Sequence, residues 1–237
     1  FLFLIVGIDY DILSILNDNT VNIMQLKDIE HILIDMDGVL LDTKYDNYFW
    51  QEHIPFIYSK KNNMSLKQAI KITHSLFHYK KNTKDWYDLD YWTNILDIDI
   101  TKEKKKKENM DKIKLKKNVI ATLENLKKKN KKLYLVTNAH KKTLEIKLSK
   151  FALNKYFEEI ICSHEFNYVK EDIQFWYILR RHLNINYQKS ILIEDTINNI
   201  DSAYHAGLNS IYVNNMNGKC PAYISKIKDF SELSSSL

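Results

Sequence analysis

The stretch "HILIDMDGVLLD", residues 31–42, decides the fold of this chain. Its apolar run leads into Asp35 and Asp37, two carboxylates one residue apart, and Gly38 follows at once. A short apolar run that ends in polar residues is typical of a buried strand. In a chain with only 4 glycines, a glycine beside two carboxylates indicates a tight turn next to a binding site.

Other apolar runs repeat this pattern. Three of them also end in polar residues: "KLYLVTN" (132–138), "EIICSH" (159–164) and "SILIED" (190–195). A further run, "NSIYV" (209–213), is predicted as a fifth strand. Amphipathic segments lie between or before the strands, at about 118–130, 140–152, 171–183 and 197–206. Strands that alternate with helices of this length favour βαβ units. The predicted fold class is therefore α/β, with a Rossmann-like core built on a parallel sheet.

Residues 43–115 separate the first strand from the helix near 118–130, and this is too much chain for a loop. The segment is dense in aromatic residues, and "SLKQAIKITHSLFHYKK" (65–81) has helical periodicity. We predict that residues 43–115 form an inserted helical cap, and that residues 24–42 and 116–237 form the core. Residues 1–23 precede the first methionine, Met24, and are predicted to be an upstream extension outside the fold.

Composition and charge give no support to several classes of partner. The net charge of +5 comes almost entirely from lysine, because the chain has only two arginines, Arg180 and Arg181. We attribute this bias to base composition, and we interpret Lys104–Lys107 as a solvated linker or helix face, so no nucleic-acid partner is expected. The apolar start is too short to span a bilayer, so no membrane association is expected. Cys162 and Cys220 show neither metal-ligand spacing nor a disulfide framework, which favours a reducing cytoplasm.

Polar side chains follow three of the predicted strands. They are Asp35 and Asp37, Thr137 and Asn138, and Glu194 and Asp195. Each alone is explained equally well as a turn former or helix cap, but ligands of a parallel sheet bind where its strands end. Carboxylates from two strands repel each other unless a cation lies between them, and oxygen ligands without His or Cys suit Mg²⁺. A hydroxyl, a lysine and the amides near Gly38 would complete an anion site suited to a phosphate.

Four motifs occur in this order: "DMDGVLLD", "LVTNA", the lysine of "YVKED", and "IEDTINNIDSAYHAG". Together they resemble the motifs of the haloacid dehalogenase-like superfamily of phosphohydrolases. The resemblance extends to the bacterial GMP/IMP 5′-nucleotidase branch through "DNYFWQ" (46–51), "DWYDLDYW" (85–92), "LVTNAHKKTLEIKL" (135–148) and "HEFNYVKEDIQFW" (164–176). It covers about residues 25–215, and it implies a Mg²⁺-dependent phosphatase that converts purine nucleoside 5′-monophosphates to nucleoside and phosphate.

The resemblance also assigns roles to residues. Asp35 resembles the nucleophile that forms an aspartyl-phosphate, and Asp37 resembles the acid that protonates the leaving oxygen and then the base that activates water. Mg²⁺ would be held by the Asp35 carboxylate, the Asp37 backbone carbonyl and Asp195, with Glu194 nearby. The phosphoryl oxygens would be bound by Thr137, the Asn138 backbone and Lys170.

The chain departs from the family pattern at two positions. Val169 stands where the family usually has proline, which would loosen the loop that carries Lys170, and Glu194 stands where aspartate is common. In the cap, Trp50, Trp86 and Tyr91 are candidates for contact with the base, although packing among cap helices explains such rings equally well. His140 follows "TNA" and is interpreted either as a residue near the site or as a helix N-terminal residue.

Several alternatives stay open. The same chemistry would serve another small phosphate ester, such as a sugar phosphate or phosphoglycolate, and a phosphomutase would share Asp35 and Asp37. A non-catalytic nucleotide-binding remnant is the alternative from a different class. A dehalogenase is disfavoured because its chemistry needs no second aspartate at position 37. We expect a cytoplasmic monomer or weak homodimer.

Overall fold

The computed structural model describes residues 28–214, 221 and 224–234. The predictions for residues 1–23, Met24 and Cys220 lie outside these residues. Within them, six strands form one parallel sheet in the order β3-β2-β1-β4-β5-β6. The strands are β1 His31–Ile34, β2 Lys132–Thr137, β3 Glu159–Cys162, β4 Ser190–Glu194, β5 Ser210–Val213 and β6 Ser225–Ile227. This confirms the predicted α/β class and its five strands. The three-residue β6 was not predicted, since "SKI" has no apolar run.

The described helices follow the predicted alternation. They are α1 Lys44–Tyr48, α2 Ile54–Lys61, α3 Leu66–Lys80, α4 Lys84–Tyr87, α5 Leu89–Leu96, α6 Ile100–Lys105, α7 Lys107–Met110, α8 Val119–Lys128, α9 Lys141–Lys150, α10 Ile173–Leu183 and α11 Ile197–His205. A π-helical segment, Phe49–His53, joins α1 to α2. Ser65 and Gln68 form a capping box at the start of α3, which explains where that helix begins. None of the helices described here is both long and apolar enough to span a bilayer.

Both faces of the sheet are covered, as a parallel sheet requires. Ile32 and Ile34 of β1 pack into a core that includes residues of α8 and α9. Leu33, which points to the opposite face, packs into a second core with residues of α10 and α11. This alternation is why the strand sequence is apolar throughout rather than at every second residue.

The π-helical segment and helices α2 to α6 have an apolar core of their own, formed around Phe49, Phe77 and Trp92, whereas Tyr45 of α1 and Met110 of α7 pack against the core on the sheet. The two chain segments that connect these helices to the sheet run side by side: Asp42 N donates to Lys114 O at 2.9 Å, and Lys116 N donates to Leu40 O at 2.9 Å. A separate core and paired connections are what an inserted cap would have. The division into a cap at 43–115 and a core stays a prediction.

Candidate active site

The carboxyl ends of β1, β2 and β4 meet at one edge of the sheet, because the strands pair in register, with Leu33 opposite both Tyr134 and Leu192. A cavity of about 590 Å³ opens at this edge. It is lined by all seven residues that the sequence assigns to chemistry, namely Asp35, Asp37, Thr137, Asn138, Lys170, Glu194 and Asp195. The structure therefore brings these predicted residues together.

Lys170 lies at the centre of this group and is almost completely buried. Its Nζ donates to Asp35 Oδ1, to Glu194 Oε2 at 2.6 Å and to Val136 O at 3.1 Å. Burial alone lowers the pKa of Lys170, but the Asp35 and Glu194 carboxylates outweigh it and raise that pKa above its ordinary value. The lysine is therefore a permanent cation beneath the cavity.

Three carboxylates surround this single ammonium group. Oxygens of Asp35, Glu194 and Asp195 all lie within 4.8 Å of one another. Burial, and next the Glu194 carboxylate, raises the pKa of Asp35 well above its ordinary value. The same two causes raise the pKa of Asp195 to about 7. This excess of negative charge and the all-carboxylate donor set fit a hard divalent cation such as Mg²⁺.

Glu194 is bonded through both of its oxygens. Oε1 accepts from the backbone N–H groups of Asp195 and Thr196, each at 3.0 Å, while Oε2 accepts from Lys170. The extra methylene lets this carboxylate fold back onto the residues that follow it. Glu194 thereby holds both Lys170 and the turn that carries Asp195.

The loop around Lys170 is held without the usual proline. Val169 is buried, and its N–H donates to Asp172 Oδ2 at 3.3 Å, a bond that proline lacks the hydrogen to make. The Lys170 N–H donates to Asn138 Oδ1 at 2.9 Å, and Trp176 Nε1 donates to Lys170 O at 2.8 Å. These hydrogen bonds hold the loop where the family has the fixed φ angle of proline, and the effect of Val169 on the rigidity of the loop stays a prediction.

A second group of charges beside Asp37 was missed by sequence reasoning. Lys147 Nζ donates to Asp37 Oδ1 at 2.6 Å and to Asp46 Oδ2 at 2.5 Å. Lys104 Nζ donates to the other oxygen of Asp46, Oδ1, at 3.1 Å. Asp46, Lys104 and Lys147 all line the cavity. In a chain with 35 lysine and arginine residues, lysine identity alone carried no signal.

The interpretation of Lys104–Lys107 as a solvated face is wrong for Lys104, which is only 1% exposed. Its Nζ lies 4.3 Å from the ring centre of Phe49 and 4.8 Å from that of Tyr45. Cation–π contact and the Asp46 carboxylate offset part of the loss of water around the ammonium group, but burial still lowers the pKa of Lys104. Lys105 and Lys107 are exposed, as expected.

The candidate aromatic contacts separate into two groups. Trp50 and Trp86 line the cavity, whereas Tyr91 is not among its lining residues. Tyr91 instead packs edge-on against Trp92, with ring centres 5.0 Å apart, and Lys80 Nζ lies 4.9 Å from the Tyr91 ring centre. Trp50 and Trp86 also contact Phe77 and Trp92. Each of these two indole rings therefore both packs among the helices and lines the cavity.

His140 combines both of the positions expected for it. It lines the cavity, and its Nδ1 accepts from Lys142 N at 3.3 Å at the start of α9. Its Nε2 lies 3.8 Å from Asp88 Oδ1, and its ring centre lies 5.3 Å from that of His164. Because Nδ1 accepts a hydrogen bond, Nε2 carries the proton of the neutral ring and has no lone pair for a metal. His140 therefore adds no free ligand atom to its neighbours Asp88 and His164.

Comparison with known proteins is consistent with this geometry. A family model described as "Haloacid dehalogenase-like hydrolase" matches residues 32–213. The GMP/IMP nucleotidase YrfG of Escherichia coli (strain K12) is 32% identical over 182 residues, which make up 77% of this chain and 81% of that protein. A phosphorylated carbohydrates phosphatase of Thermotoga maritima is 24% identical over 200 residues, 78% of this chain and 84% of that protein.

Solved structures share the fold. The crystal structure of a HAD phosphatase from Thermococcus onnurineus superimposes with a TM-score of 0.78 at 20% identity, covering 87% of this chain and 97% of that one. The family model spans most of the chain and includes every residue discussed at the strand ends. The chain belongs to the haloacid dehalogenase-like hydrolase family.

Proposed function

We propose that this protein is a phosphatase that hydrolyses purine nucleoside 5′-monophosphates, such as GMP and IMP, to nucleoside and inorganic phosphate. The observation that carries the proposal is the buried pair of Asp35 and Lys170 in a cavity that is also lined by Trp50 and Trp86. A carboxylate nucleophile beside a fixed cation suits phosphoryl transfer, and the indole rings supply flat apolar surface for a base. The 32% identity to a GMP/IMP nucleotidase supports the choice of substrate.

In the first step, an Asp35 oxygen attacks phosphorus and forms an aspartyl-phosphate. The bond between phosphorus and the ribose 5′ oxygen breaks, and that oxygen takes the electron pair and a proton from Asp37. Burial raises the pKa of Asp37, although Lys147 opposes this shift, and a raised pKa favours the protonated form that an acid requires. In the second step, Asp37 takes a proton from water as the water oxygen attacks phosphorus, and the bond between phosphorus and the Asp35 oxygen breaks, which restores the Asp35 carboxylate and releases phosphate.

Lys170 balances the negative charge of the phosphoryl group throughout. Thr137 Oγ1 accepts from Ala139 N at 3.0 Å, which leaves its own hydroxyl hydrogen for a phosphoryl oxygen. Asn138 is held by its side chain, since its Nδ2 donates to Glu171 at 2.8 Å and its Oδ1 accepts from Lys170 N. Its backbone is thereby positioned beside the phosphate site.

Mg²⁺ fits the carboxylate group at the strand ends, where the residues that would hold it are Asp35, Asp195 and the Asp37 backbone carbonyl, with Glu194 beside them. When bound, such an ion offsets the repulsion between the nucleophile and the phosphate oxygens. Asp195 stays close to Asp35 because Glu194 binds both the Asp195 N–H and Lys170.

A second candidate substrate is a phosphorylated sugar, which the similarity to the Thermotoga maritima carbohydrate phosphatase favours. Two other possible functions, a phosphomutase and a non-catalytic nucleotide-binding protein, are distinguished by the test described below. Three further expectations stay predictions: a cytoplasmic location, the absence of nucleic-acid and membrane partners, and a monomeric or weakly homodimeric state.

The test is phosphate release from GMP, IMP, AMP, UMP, glucose 6-phosphate and phosphoglycolate, measured with Mg²⁺ and with EDTA. We expect Mg²⁺-dependent release that favours GMP and IMP. Asp35→Asn should abolish it, while Asp111→Asn, which alters an exposed ion pair with Lys107, should leave it unchanged. Preference for a sugar phosphate would move the substrate assignment, and no release from any ester by the folded protein would refute the proposed activity.

A further inference from the structure

The charged group beside Asp37 is not needed to explain nucleophilic attack, yet both of its lysines, Lys104 and Lys147, are almost completely buried. We propose that Lys147 is a positioning residue, whose ammonium group holds the Asp37 carboxylate in the orientation from which it protonates the leaving oxygen. The inference rests on the proposed function. Lys147 would set how efficiently the proposed phosphatase reaction protonates the leaving oxygen. It concerns the fate of the leaving group rather than the attack on phosphorus.

The first support is geometric. Lys147 Nζ lies 2.6 Å from Asp37 Oδ1, and no hydrogen bond in the part of the chain that the structure describes uses the other oxygen, Oδ2. The side chain of Lys147 is 2% exposed and that of Asp37 is 28% exposed, so the ammonium group is shielded from water while the carboxylate keeps an open side. One carboxylate oxygen is thus fixed by a buried cation, and the other is left for the substrate.

The second support is that Lys147 is itself fixed. Asp46 Oδ2 accepts from it at 2.5 Å, and Asp46 Oδ1 accepts from Lys104 at 3.1 Å. The charges therefore alternate along Asp37, Lys147, Asp46 and Lys104, so that each buried charge has a neighbour of opposite sign. A lysine held between two carboxylates has little freedom to turn, and the orientation of Asp37 follows from it.

The third support is where the four residues lie. Lys147 belongs to α9, which packs on the sheet, while Asp46 and Lys104 belong to α1 and α6, and α9 contacts α6 directly. Asp37 therefore has its full set of neighbours only when these two groups of helices are together. The arrangement couples the acid to a closed cavity.

The alternative role for Lys147 is direct binding of the phosphate, as proposed for Lys170. The two roles differ in their dependence on the leaving group. A nucleoside 5′ oxygen leaves poorly unless it is protonated, whereas the p-nitrophenolate of p-nitrophenyl phosphate leaves without a proton. A positioning residue for the acid matters for the first ester only, while a phosphate ligand matters equally for both.

The experiment compares kcat/KM for the best nucleotide and for p-nitrophenyl phosphate in wild type, Lys147→Met, Lys147→Arg and Lys142→Met. kcat/KM reports the steps up to formation of the aspartyl-phosphate, and the ratio of the two esters within one preparation cancels the fraction of folded protein. Lys142→Met is the matched control, because Lys142 also lies on α9 and pairs with Asp90, while neither residue lines the cavity and Lys142 does not contact Asp37.

We expect Lys147→Met to lower kcat/KM for the nucleotide about 100-fold, at the lower end of what general acid catalysis supplies. The value for p-nitrophenyl phosphate should change by less than about 5-fold, Lys147→Arg should recover part of the nucleotide activity, and Lys142→Met should alter neither ester. An equal loss on both esters, or no loss on either, would overturn the proposal.

Should Lys147→Met fail to fold, Asp46→Asn provides the same test while keeping the lysine, with a smaller loss again confined to the nucleotide. Wild-type protein that cleaves neither ester with Mg²⁺ would refute the phosphatase assignment, and the role of Lys147 with it. Wild-type activity combined with an unselective Lys147→Met would refute only the role of Lys147.

Discussion

Gly38 lies directly against the carboxylate of Asp195: a Cβ atom at residue 38 would be 1.7 Å from Asp195 Oδ2. Gly38 also has a φ angle of +87°, which side chains rarely allow. Sequence reasoning explained this glycine by the approach of a phosphate. In the structure, the contact that requires glycine is with a candidate metal ligand from another strand.

Gly38→Ala should therefore damage cation binding beyond its effect on stability. Gly207 is a matched control, because its φ is +86° and a Cβ there would meet nothing within 4 Å. We expect both alanine variants to lose about 1–2 kcal/mol of unfolding free energy from backbone strain. Only Gly38→Ala should raise the Mg²⁺ concentration for half-maximal activity, about tenfold, in a Mg²⁺ titration. Equal titrations of the two variants would refute the role of the contact.

Lys170→Met should destabilise the protein strongly when no divalent cation is present. It leaves the buried carboxylates of Asp35 and Glu194 without their cation, which costs about 3–5 kcal/mol. Lys189→Met removes an exposed ion pair with Glu30 and should leave the free energy of unfolding nearly unchanged. Denaturant unfolding in EDTA and in Mg²⁺ measures both, and Mg²⁺ should restore part of the stability of Lys170→Met. The absence of any such difference would contradict the proposed cation site.

His164 should make stability depend on pH. Burial, and next the proximity of His140, lowers the pKa of His164 to about 4 from an ordinary value of 6.5. Between these values the unfolded chain binds a proton that the folded chain does not, so this contribution is complete above pH 6.5 and is lost as the pH falls towards 4. Because the ring is partly exposed, we expect an effect of about 1 kcal/mol.

The measurement is thermal unfolding of wild type and His164→Gln between pH 4 and 7.5, with the exposed His78→Gln as control. His164→Gln should flatten the fall in melting temperature below pH 6.5, and His78→Gln should not. Parallel curves for all three proteins would show that His164 does not carry the effect.

Tyr87 connects the helical segment to the loop that carries Lys170. Its hydroxyl donates to Glu171 Oε1 at 2.7 Å, and Glu171 Oε2 accepts from Asn138. Tyr87→Phe keeps the ring and removes this bond, so we expect a several-fold rise in KM, since about 1 kcal/mol of support for the closed cavity is lost. Steady-state kinetics beside Tyr79→Phe, a change at an exposed ring, provide the check. A fall in kcat with unchanged KM would contradict this account.

The positions of the site residues at the strand ends were predictable because they depend on local patterns. Asp35, Thr137 and Glu194 each end or follow an apolar run, and the carboxyl ends of parallel strands must share one edge. Lys170 was predictable only through its motif, since one lysine among many carries no signal of its own. The structure adds that it lies between two carboxylates.

The burial of Lys104 and Lys147 could not be predicted from local patterns. Both lie on helices whose sequences are rich in lysine, and only packing against Asp46 and the rings around it separates them from their exposed neighbours. Trp50 and Tyr91 were equal candidates by composition. Their different positions depend on how α5 and the π-helical segment pack, which no short pattern encodes.

The sequence by itself determined the order of strands and helices, the sheet edge that carries the chemistry and the residues that end each strand there, because apolar periodicity and strand ends are local properties. The tertiary structure alone decided which distant groups meet: Gly38 with Asp195, and Lys147 between Asp37 and Asp46. These pairs join residues whose separations along the chain follow no periodicity. Their partners are set by the packing of whole elements and by the need of every buried charge for a neighbour of opposite sign.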